Sequence, residues 1–286
     1  MFLAPALLLM GVYLLWPIAQ SLQLSLFRWD GVAADPTFIG GANWRRLLGD
    51  DVFWLAFRNN LVLVVVSLAV QLPIAMALAV LLDRVGRRLA RALRLVWFVP
   101  LLLSTVAVGV LFRSIYDNNF GLLNAALELV GLDALTRPWL GDPGTALPAV
   151  IMVVVWQFVP FYMLLFAAGL ADLPGDLRDA ARVDGATENQ FFWRVALPNL
   201  KPLVGIAAVL SLIGALKYFD IVWVMTGGGP VHRTELMATY MFTRAFRANE
   251  VGYGATIASA LFLSVLVASL ATTWWTARRR RREVAA

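Results

Sequence analysis

The sequence predicts an all-α integral membrane protein with six transmembrane helices, because it is strongly apolar and contains six long apolar stretches. Hydrophobic residues make up 60% of the 286 and charged residues 15%, whereas soluble domains have about half apolar and about a quarter charged residues. A helix that crosses a bilayer needs roughly 20 mostly apolar residues. Six stretches meet that requirement, at about residues 2–26, 60–82, 95–112, 147–170, 203–225 and 256–276.

These spans are predicted to form one transmembrane domain over residues 1–286, since no linker, low-complexity tract or soluble domain separates them. The first stretch has no basic region before it and no small-residue cleavage site after it. We therefore expect a retained span rather than a signal peptide. Its apolar start directly at Met1 leaves open a longer native N-terminus.

The distribution of basic residues indicates the orientation. With both termini in the cytoplasm, the cytoplasmic segments hold 14 Lys and Arg residues and the external segments hold nine. Cytoplasmic loops of membrane proteins carry such an excess. The net charge of +6 follows from this distribution, and no nucleic-acid partner is needed to explain it.

The residue types argue against a metal site and against a catalytic site. The chain has no cysteine and a single histidine, His232, which excludes disulfides and thiolate ligands and leaves a zinc site without its usual ligands. A nucleophile beside a base and paired carboxylates within the spans are also missing from the sequence. We predict no metal ligand and no catalytic residue, which disfavours a membrane-embedded enzyme.

A polar segment, residues 171–202, interrupts the apolar pattern between the fourth and fifth predicted spans. Pro174 suits the first turn of a helix, and Gly185 suits a left-handed helix end. Thr187 and Gln190 match a capping box at the start of a second helix. The pattern predicts two short helices that meet at a glycine corner.

Pro198 and Pro202 are expected to mark the return of the chain to the membrane. The first helix presents a stripe of mostly small residues at helical spacing. This stripe would either pack on the protein's own bundle or fit closely into a groove of a partner. Its members are Leu177, Ala180, Ala181 and Asp184.

The polar segment contains Asp179-Ala180-Ala181, then Asp184-Gly185-Ala186, and further on the pair Leu197-Pro198. In these residues it resembles the EAA loop of the permease subunits of binding-protein-dependent ABC importers. The resemblance implies a cytoplasmic coupling helix, between the fourth and fifth transmembrane helices, that docks into a cleft of a cytoplasmic ATPase. Asp179 stands where that family usually has glutamate. The coupling residues that the resemblance implies are Asp179, Ala180, Ala181, Asp184, Gly185, Ala186, Leu197 and Pro198.

Two charged residues, Lys217 and Asp220, lie inside the fifth predicted span. Charged residues at such depth usually face a cavity or a partner. Their i,i+3 spacing would allow an ion pair on one helix face, with Trp223 one turn further on. Two interpretations stay open: a structural ion pair, or a face that lines a path for a polyol.

A glycine-rich segment, which we call the glycine segment, follows the fifth span. It consists of Thr226, Gly227, Gly228, Gly229 and Pro230. Its three glycines allow sharp backbone turns. A phosphate-binding loop is excluded, because no Lys-Ser/Thr pair follows and no strand precedes it.

The glycine segment, with the Phe219-Asp220 pair before it and a Tyr/Phe cluster after it, resembles the carbohydrate-uptake branch of these importers. That branch contains the maltose and glycerol-phosphate permeases. The residues at 38–44 and 53–60 share this likeness. The resemblance implies that Lys217 and Asp220 contribute to sugar binding and that the glycine segment faces a solute-binding protein.

The resemblance as a whole implies a permease domain of an ATP-driven importer for a sugar or related polyol, in the cytoplasmic (inner) membrane of a prokaryote. The implied partners are a second homologous permease, two cytoplasmic ATPases, an external solute-binding protein and membrane lipid. No Walker-type motif is present, so we expect no cofactor on this chain, with ATP and Mg²⁺ on the ATPases. The alternatives are an ABC permease for glycerol phosphate, a polyamine or an amino acid, and a secondary transporter, which internal repeats would favour.

Overall fold

The computed structural model describes residues 3–285, without the side chains of residues 87, 273 and 275–285. The predicted start of the first span at residue 2 and the side chains of the basic run 278–282 lie outside this description. Over the described residues the chain is helical, apart from short loops and one two-stranded antiparallel hairpin. The predicted all-α membrane fold is therefore confirmed.

Five helices are long and apolar enough to cross a membrane, and two helices that meet at a sharp bend could make a sixth span. The long helices are α1 (Ala4–Leu24), α3 (Asp51–Arg84), α7 (Ala146–Ala171), α9 (188–217), which leads into α10 (Asp220–Met225), and α12 (Val251–Ala285). The bent pair is α4 (Arg87–Leu102) and α5 (Thr105–Ile115). The shorter elements are β1 (Phe27–Arg28), β2 (Thr37–Phe38), α2 (Ala42–Leu48), α6 (Leu122–Leu129), α8 (Gly175–Val183) and α11 (Met237–Phe242).

The predicted third span, 95–112, is two helices rather than one. α4 and α5 meet at 94°, because the backbone is extended at Leu103 and Ser104 starts a new helix by accepting the amide of Ala107 at 3.4 Å. Gln157 of α7 donates to the carbonyl of Leu103 at 3.4 Å. A hydropathy pattern does not register a bend whose cause is a single capping residue.

Three of the prolines inside the long helices, Pro17, Pro73 and Pro198, follow a local widening of the helix. In each case the residue before the proline donates its amide to the carbonyl five residues back, within a widened π-type turn. Such turns accommodate irregularity inside an α-helix. Pro198 and Pro202, which are predicted to mark the return to the membrane, do not interrupt the helix, because α9 runs on through both to Lys217.

The central helix of the bundle is α7. Of its most apolar 18-residue stretch, 67% is buried, against 28% or less in the other long helices. Its buried residues, from Ala146 to Leu170, form the middle of the main hydrophobic core. α1 has no buried residue and packs mainly along α12, so most of its apolar surface faces lipid or another chain.

The fifth span is broken near one end of the bundle, and Asn60 of α3 stabilises the break. α9 ends at Lys217 and α10 begins at Asp220, which deprives the last carbonyls of α9 of helical partners. The completely buried Asn60 side chain donates to the carbonyls of Ala215 and Leu216, at 3.1 and 3.2 Å. Its oxygen accepts the amide of Met237 at 2.9 Å. One carboxamide thus joins three elements.

The preceding residue, Asn59, binds the loop that follows the glycine segment. Its side-chain nitrogen donates to the carbonyls of Arg233 and Glu235, at 2.9 and 2.8 Å. The first third of α3 therefore positions both the break in the fifth span and the loop beyond it.

Replacing Asn60 by leucine tests the importance of this link. Asn60→Leu keeps the side-chain volume but leaves two carbonyls and one amide without their partner. We expect the free energy of unfolding in detergent to fall by about 1–3 kcal/mol, the cost of unsatisfied buried polar groups. Val65→Ala, on the same helix at a position 62% exposed, is the control, and an Asn60→Leu protein as stable as this control would contradict the account.

Candidate functional site

The polar segment (171–202) contains the predicted glycine corner and the predicted capping box. α8 starts directly after Pro174, which is the capping residue rather than part of the first turn. Gly185 has φ +75°, the left-handed conformation that ends the helix. Thr187 accepts the amide of Gln190 at 3.3 Å while the Gln190 side chain accepts the amide of Thr187 at 2.8 Å. The glycine corner and the capping box are both confirmed.

The small-residue stripe of α8 divides between two environments. Ala181 is 8% exposed and Leu177 is half-buried, and both pack against the main core. Ala180 and Asp184 are exposed. The helix is rotated so that one edge of the stripe contacts the protein's own bundle and the other edge is left exposed to a partner.

The outer surface of α8 consists of small, apolar and acidic side chains. Asp179, Ala180 and Asp184 are exposed, and Val183 is 88% exposed at the end of the helix. Of the other predicted coupling residues, Gly185 and Pro198 are exposed, whereas Ala186 and Leu197 are half-buried. A partner could reach Asp179, Ala180, Asp184, Gly185 and Pro198, whereas Ala181 supports them from beneath.

An ion pair that the sequence analysis did not foresee fixes α8 to the bundle. The guanidinium of Arg178 binds the carboxylate of Asp83, at the end of α3. The same guanidinium lies 5.0 Å from the ring centroid of Phe191. Across the glycine corner, Arg182 pairs with Glu188 at 3.3 Å. Asp83 is an acidic residue next to a cluster of arginines in the sequence, which is the only signal that could have suggested its role.

Lys217 and Asp220 lie on either side of the break in the fifth span, and both side chains are exposed. Among the described residues, no ion pair joins them. The predicted i,i+3 face does not form, because Tyr218 and Phe219 leave the helical conformation between them. Ile221, directly after Asp220, is completely buried, so the two charged side chains point away from the protein's own core.

Trp223 of α10 belongs to an aromatic cluster. Its ring stacks on Phe219 with centroids 5.5 Å apart and meets the ring of Phe242 edge-on at 4.7 Å. The guanidinium carbon of Arg247 lies 4.5 Å from the centroid of Trp223. Phe242 and Arg247 belong to α11 and to the turn that follows it, so this cluster connects the half-helix α10 to the start of the sixth span.

The glycine segment (226–230) is a tight, internally bonded turn. Gly227 and Gly228 have φ of +59° and +91°, which glycine adopts readily. The hydroxyls of Thr226 and Thr234 are 2.7 Å apart, and Thr234 donates to the carbonyl of Gly229 at 2.6 Å. These bonds close the segment on itself.

Glu235 is a buried carboxylate beneath the glycine segment. Its carboxyl group packs against Gly228 so closely that a Cβ there would lie 2.4 Å from the Glu235 Cδ. Burial raises the pKa of Glu235, and this is opposed by the hydroxyl of Thr239, 2.5 Å away, and by His232, 3.5 Å away. Gly228 therefore cannot be replaced without moving the carboxylate.

A second carboxylate, Asp50, joins three elements at this same end of the bundle. It caps α3 and accepts hydrogen bonds from the hydroxyls of Tyr240 and Tyr253, at 2.6 and 2.5 Å. Burial acts to raise the pKa of Asp50, but these bonds and those from two backbone amides outweigh it and lower the pKa. Burial and the bond to Asp50 raise the pKa of Tyr240 to about 12. The carboxylate is therefore ionised at neutral pH and binds α3, α11 and α12 together.

The sequence is similar to several permeases. It is 38% identical over 272 residues to the probable ABC transporter permease protein YurN of Bacillus subtilis, covering 94% of this chain and 92% of that protein. It is 32% identical over 272 residues to the lactose transport system permease protein LacF of Rhizobium radiobacter, covering 94% and 90%. It is 33% identical over 276 residues to the diacetylchitobiose uptake system permease protein NgcF of Streptomyces coelicolor, covering 93% and 78%.

The structure has the fold of a solved transporter chain. It matches a chain in the crystal structure of a bacterial ABC transporter involved in the import of the acidic polysaccharide alginate with a TM-score of 0.85. The match covers 97% of this chain and 94% of that chain at 22% identity. The profile of the family described as the binding-protein-dependent transport system inner membrane component matches residues 71–282. With that match and the coverage of its relatives, the chain belongs to this family of ABC importer permeases.

Proposed function

We propose that this permease moves a sugar or related polyol, delivered by an external solute-binding protein, across the cytoplasmic (inner) membrane of a prokaryote. The observation that carries the proposal is the similarity, over more than nine-tenths of the chain, to permeases named for lactose and diacetylchitobiose uptake. A second homologous permease and two cytoplasmic ATPase subunits would complete the importer. ATP and Mg²⁺ would bind those ATPases, since this chain has no Walker-type motif.

The solute path is proposed to pass Lys217 and Asp220. Both side chains lie at a break in a membrane-spanning segment and point away from the protein's own core. A charged residue facing lipid is costly, by about 2.5–3.5 kcal/mol on insertion scales at the centre of a membrane helix, so a water-filled path or the second permease is the more favourable neighbour. An ammonium donates hydrogen bonds and a carboxylate accepts them, which together suit the hydroxyl groups of a sugar. Trp223 would add an aromatic surface beside this pair.

The coupling to ATP is proposed to pass through α8. Its exposed outer surface offers small residues and two carboxylates, Asp179 and Asp184, to a groove on the ATPase, in the manner of a helix that docks in a cleft. The basic residues of 84–94 and 178–201 support a cytoplasmic position for this end, with both termini inside. The glycine segment, at the opposite end of α3, would then face the solute-binding protein.

Removing the carboxylate of Asp220 tests the proposed path. We expect Asp220→Ala to reduce sugar uptake roughly tenfold or more, since a hydrogen bond to a charged group contributes about 1.5–3 kcal/mol. Assembly of the complex should be unchanged, because Asp220 makes no ion pair with Lys217 in the described structure. Uptake of labelled sugar into cells and co-purification of the partner subunits measure the two effects.

The matched control for the path is Asp133→Ala, which removes an exposed carboxylate from the loop between α6 and α7. It should keep normal uptake. Loss of assembly in Asp220→Ala, or uptake equal to that of the control, would contradict the proposed path.

Changing the outer surface of α8 tests the coupling. Ala180→Trp and Asp184→Lys add bulk and reverse a charge at exposed positions, so the bundle should fold normally while the ATPase loses its fit. We expect the ATPase to co-purify poorly and ATP-dependent uptake to fall at least tenfold, which corresponds to about 1.4 kcal/mol. Asp133→Lys is the control for charge reversal. Normal co-purification and normal uptake in both α8 variants would rule out α8 as the coupling helix.

A further inference from the structure

One continuous helix, α3, contacts both the proposed coupling helix α8 and the break in the fifth span, where the solute path is proposed. It runs over 34 residues, Asp51–Arg84. Asp83 binds Arg178 of α8 near its end, and Asn60 binds the break in the fifth span near its start. At 1.5 Å per residue, a separation of about 23 residues corresponds to about 35 Å along the helix.

The Asp83–Arg178 ion pair links the end of α3 to α8. The two side chains of the ion pair are only 33% and 27% exposed, and the Arg178 guanidinium also lies over the ring of Phe191. Leu177, the neighbour of Arg178, packs into the main core. A displacement of α8 would therefore either move the end of α3 or break the Asp83–Arg178 pair.

The hydrogen bonds of Asn60 link the start of α3 to the break in the fifth span. Its carboxamide binds two carbonyls of α9, and the second, that of Leu216, belongs to the residue directly before Lys217. Its oxygen binds Met237, and Asn59 binds the carbonyl of Glu235, whose carboxylate lies under Gly228. A displacement of α3 would reach the proposed solute path and the glycine segment together.

The middle of α3 contains a side chain that lacks partners in this arrangement. Gln71, at the end of a π-type turn, is 1% exposed, and within the described part of the chain neither atom of its amide group has a hydrogen-bond partner. Buried polar groups in proteins nearly always have such partners. π-type turns inside α-helices often occur at functional sites, and packed helices can slide past one another by small shear movements.

We propose that α3 is the element that transmits movement of α8 to the break in the fifth span, with Asp83 and Asn60 as its positioning residues. Gln71 gains its hydrogen-bond partners in the shifted arrangement. This inference rests on the proposed function, because it requires that an ATPase acts on α8 and that the solute passes Lys217.

The experiment uses the complete importer, with its partner permease, ATPases and solute-binding protein, in lipid nanodiscs. Basal ATP hydrolysis and its stimulation by the sugar-loaded binding protein are measured for Asp83→Ala, Arg178→Ala and the charge-swapped pair Asp83→Arg with Arg178→Asp. We expect both single variants to retain the bound ATPases and basal hydrolysis while stimulation falls at least fivefold. The swapped pair should recover at least half of the wild-type stimulation, because it restores the ion pair.

The control is Arg84→Ala, which removes an exposed charge at the next position of α3 and should leave stimulation unchanged. Wild-type stimulation in both single variants would overturn the proposal. A loss of stimulation that the swapped pair does not recover would also overturn it. If a single variant fails to assemble, the swapped pair alone is the test: stimulation at half of the wild-type level or more supports the proposal, and a lower value overturns it. Failure of the proposed function itself gives a different result, since the wild-type chain would then neither retain the ATPases nor support stimulation.

A second measurement follows the movement directly. The chain has no cysteine, so Leu81→Cys of α3 and Met152→Cys of α7, at positions 50% and 63% exposed, place spin labels on the proposed transmitting helix and on the central helix in an importer whose other subunits lack cysteine. The distance between the labels should change on ATP binding, and the change should be lost in Asp83→Ala. A change of equal size in Asp83→Ala would overturn the proposal.

Discussion

The hydrogen bonds of Asn60 are the interaction on which the rest of this structure depends. A helix that stops inside a membrane leaves carbonyls that lipid cannot satisfy, and the fifth span stops at Lys217. Asn60 supplies donors to two of those carbonyls and accepts the amide of Met237. Because this carboxamide stabilises the break, Lys217 and Asp220 can point away from the core, and a charged site can exist beside a spanning helix.

The two ends of the bundle are built differently. At the end of the glycine segment, Asp50 holds helices together through two part-buried hydrogen bonds from tyrosines, and Glu235 joins the loop to α11 through a buried one. At the other end, α8 is held by one partly exposed ion pair and the packing of Leu177 and Ala181. Partly exposed ion pairs contribute less to stability than buried packing does, so α8 is the more loosely held element. This contrast is consistent with the proposed function, in which the ATPase displaces α8 at one end and the solute path lies at the other.

Hydropathy and capping residues in the sequence were sufficient to predict the membrane helices and the ends of the short helices in the polar segment. Apolar length predicted the membrane helices, and the left-handed Gly185 and the Thr187–Gln190 capping box appear as expected. The errors arose where distant contacts decide the outcome. The partners of Asn60 lie 155 and 156 residues further along the chain, and the rotation of α8, which buries Ala181, depends on Asp83, 95 residues before Arg178. Averaged hydropathy also missed the bend at Ser104 and the break after Lys217, since neither changes the apolar character of its span.

We propose that this chain forms part of the solute path of an ATP-driven, binding-protein-dependent sugar importer. The most direct test is accumulation of the labelled sugar retained by the cognate binding protein, measured in proteoliposomes that contain this chain, its partner permease and the ATPases. We expect sugar to accumulate only when ATP is enclosed with the ATPases and the binding protein is present on the other side of the membrane. Accumulation without the ATPases, driven by an ion gradient, would contradict it.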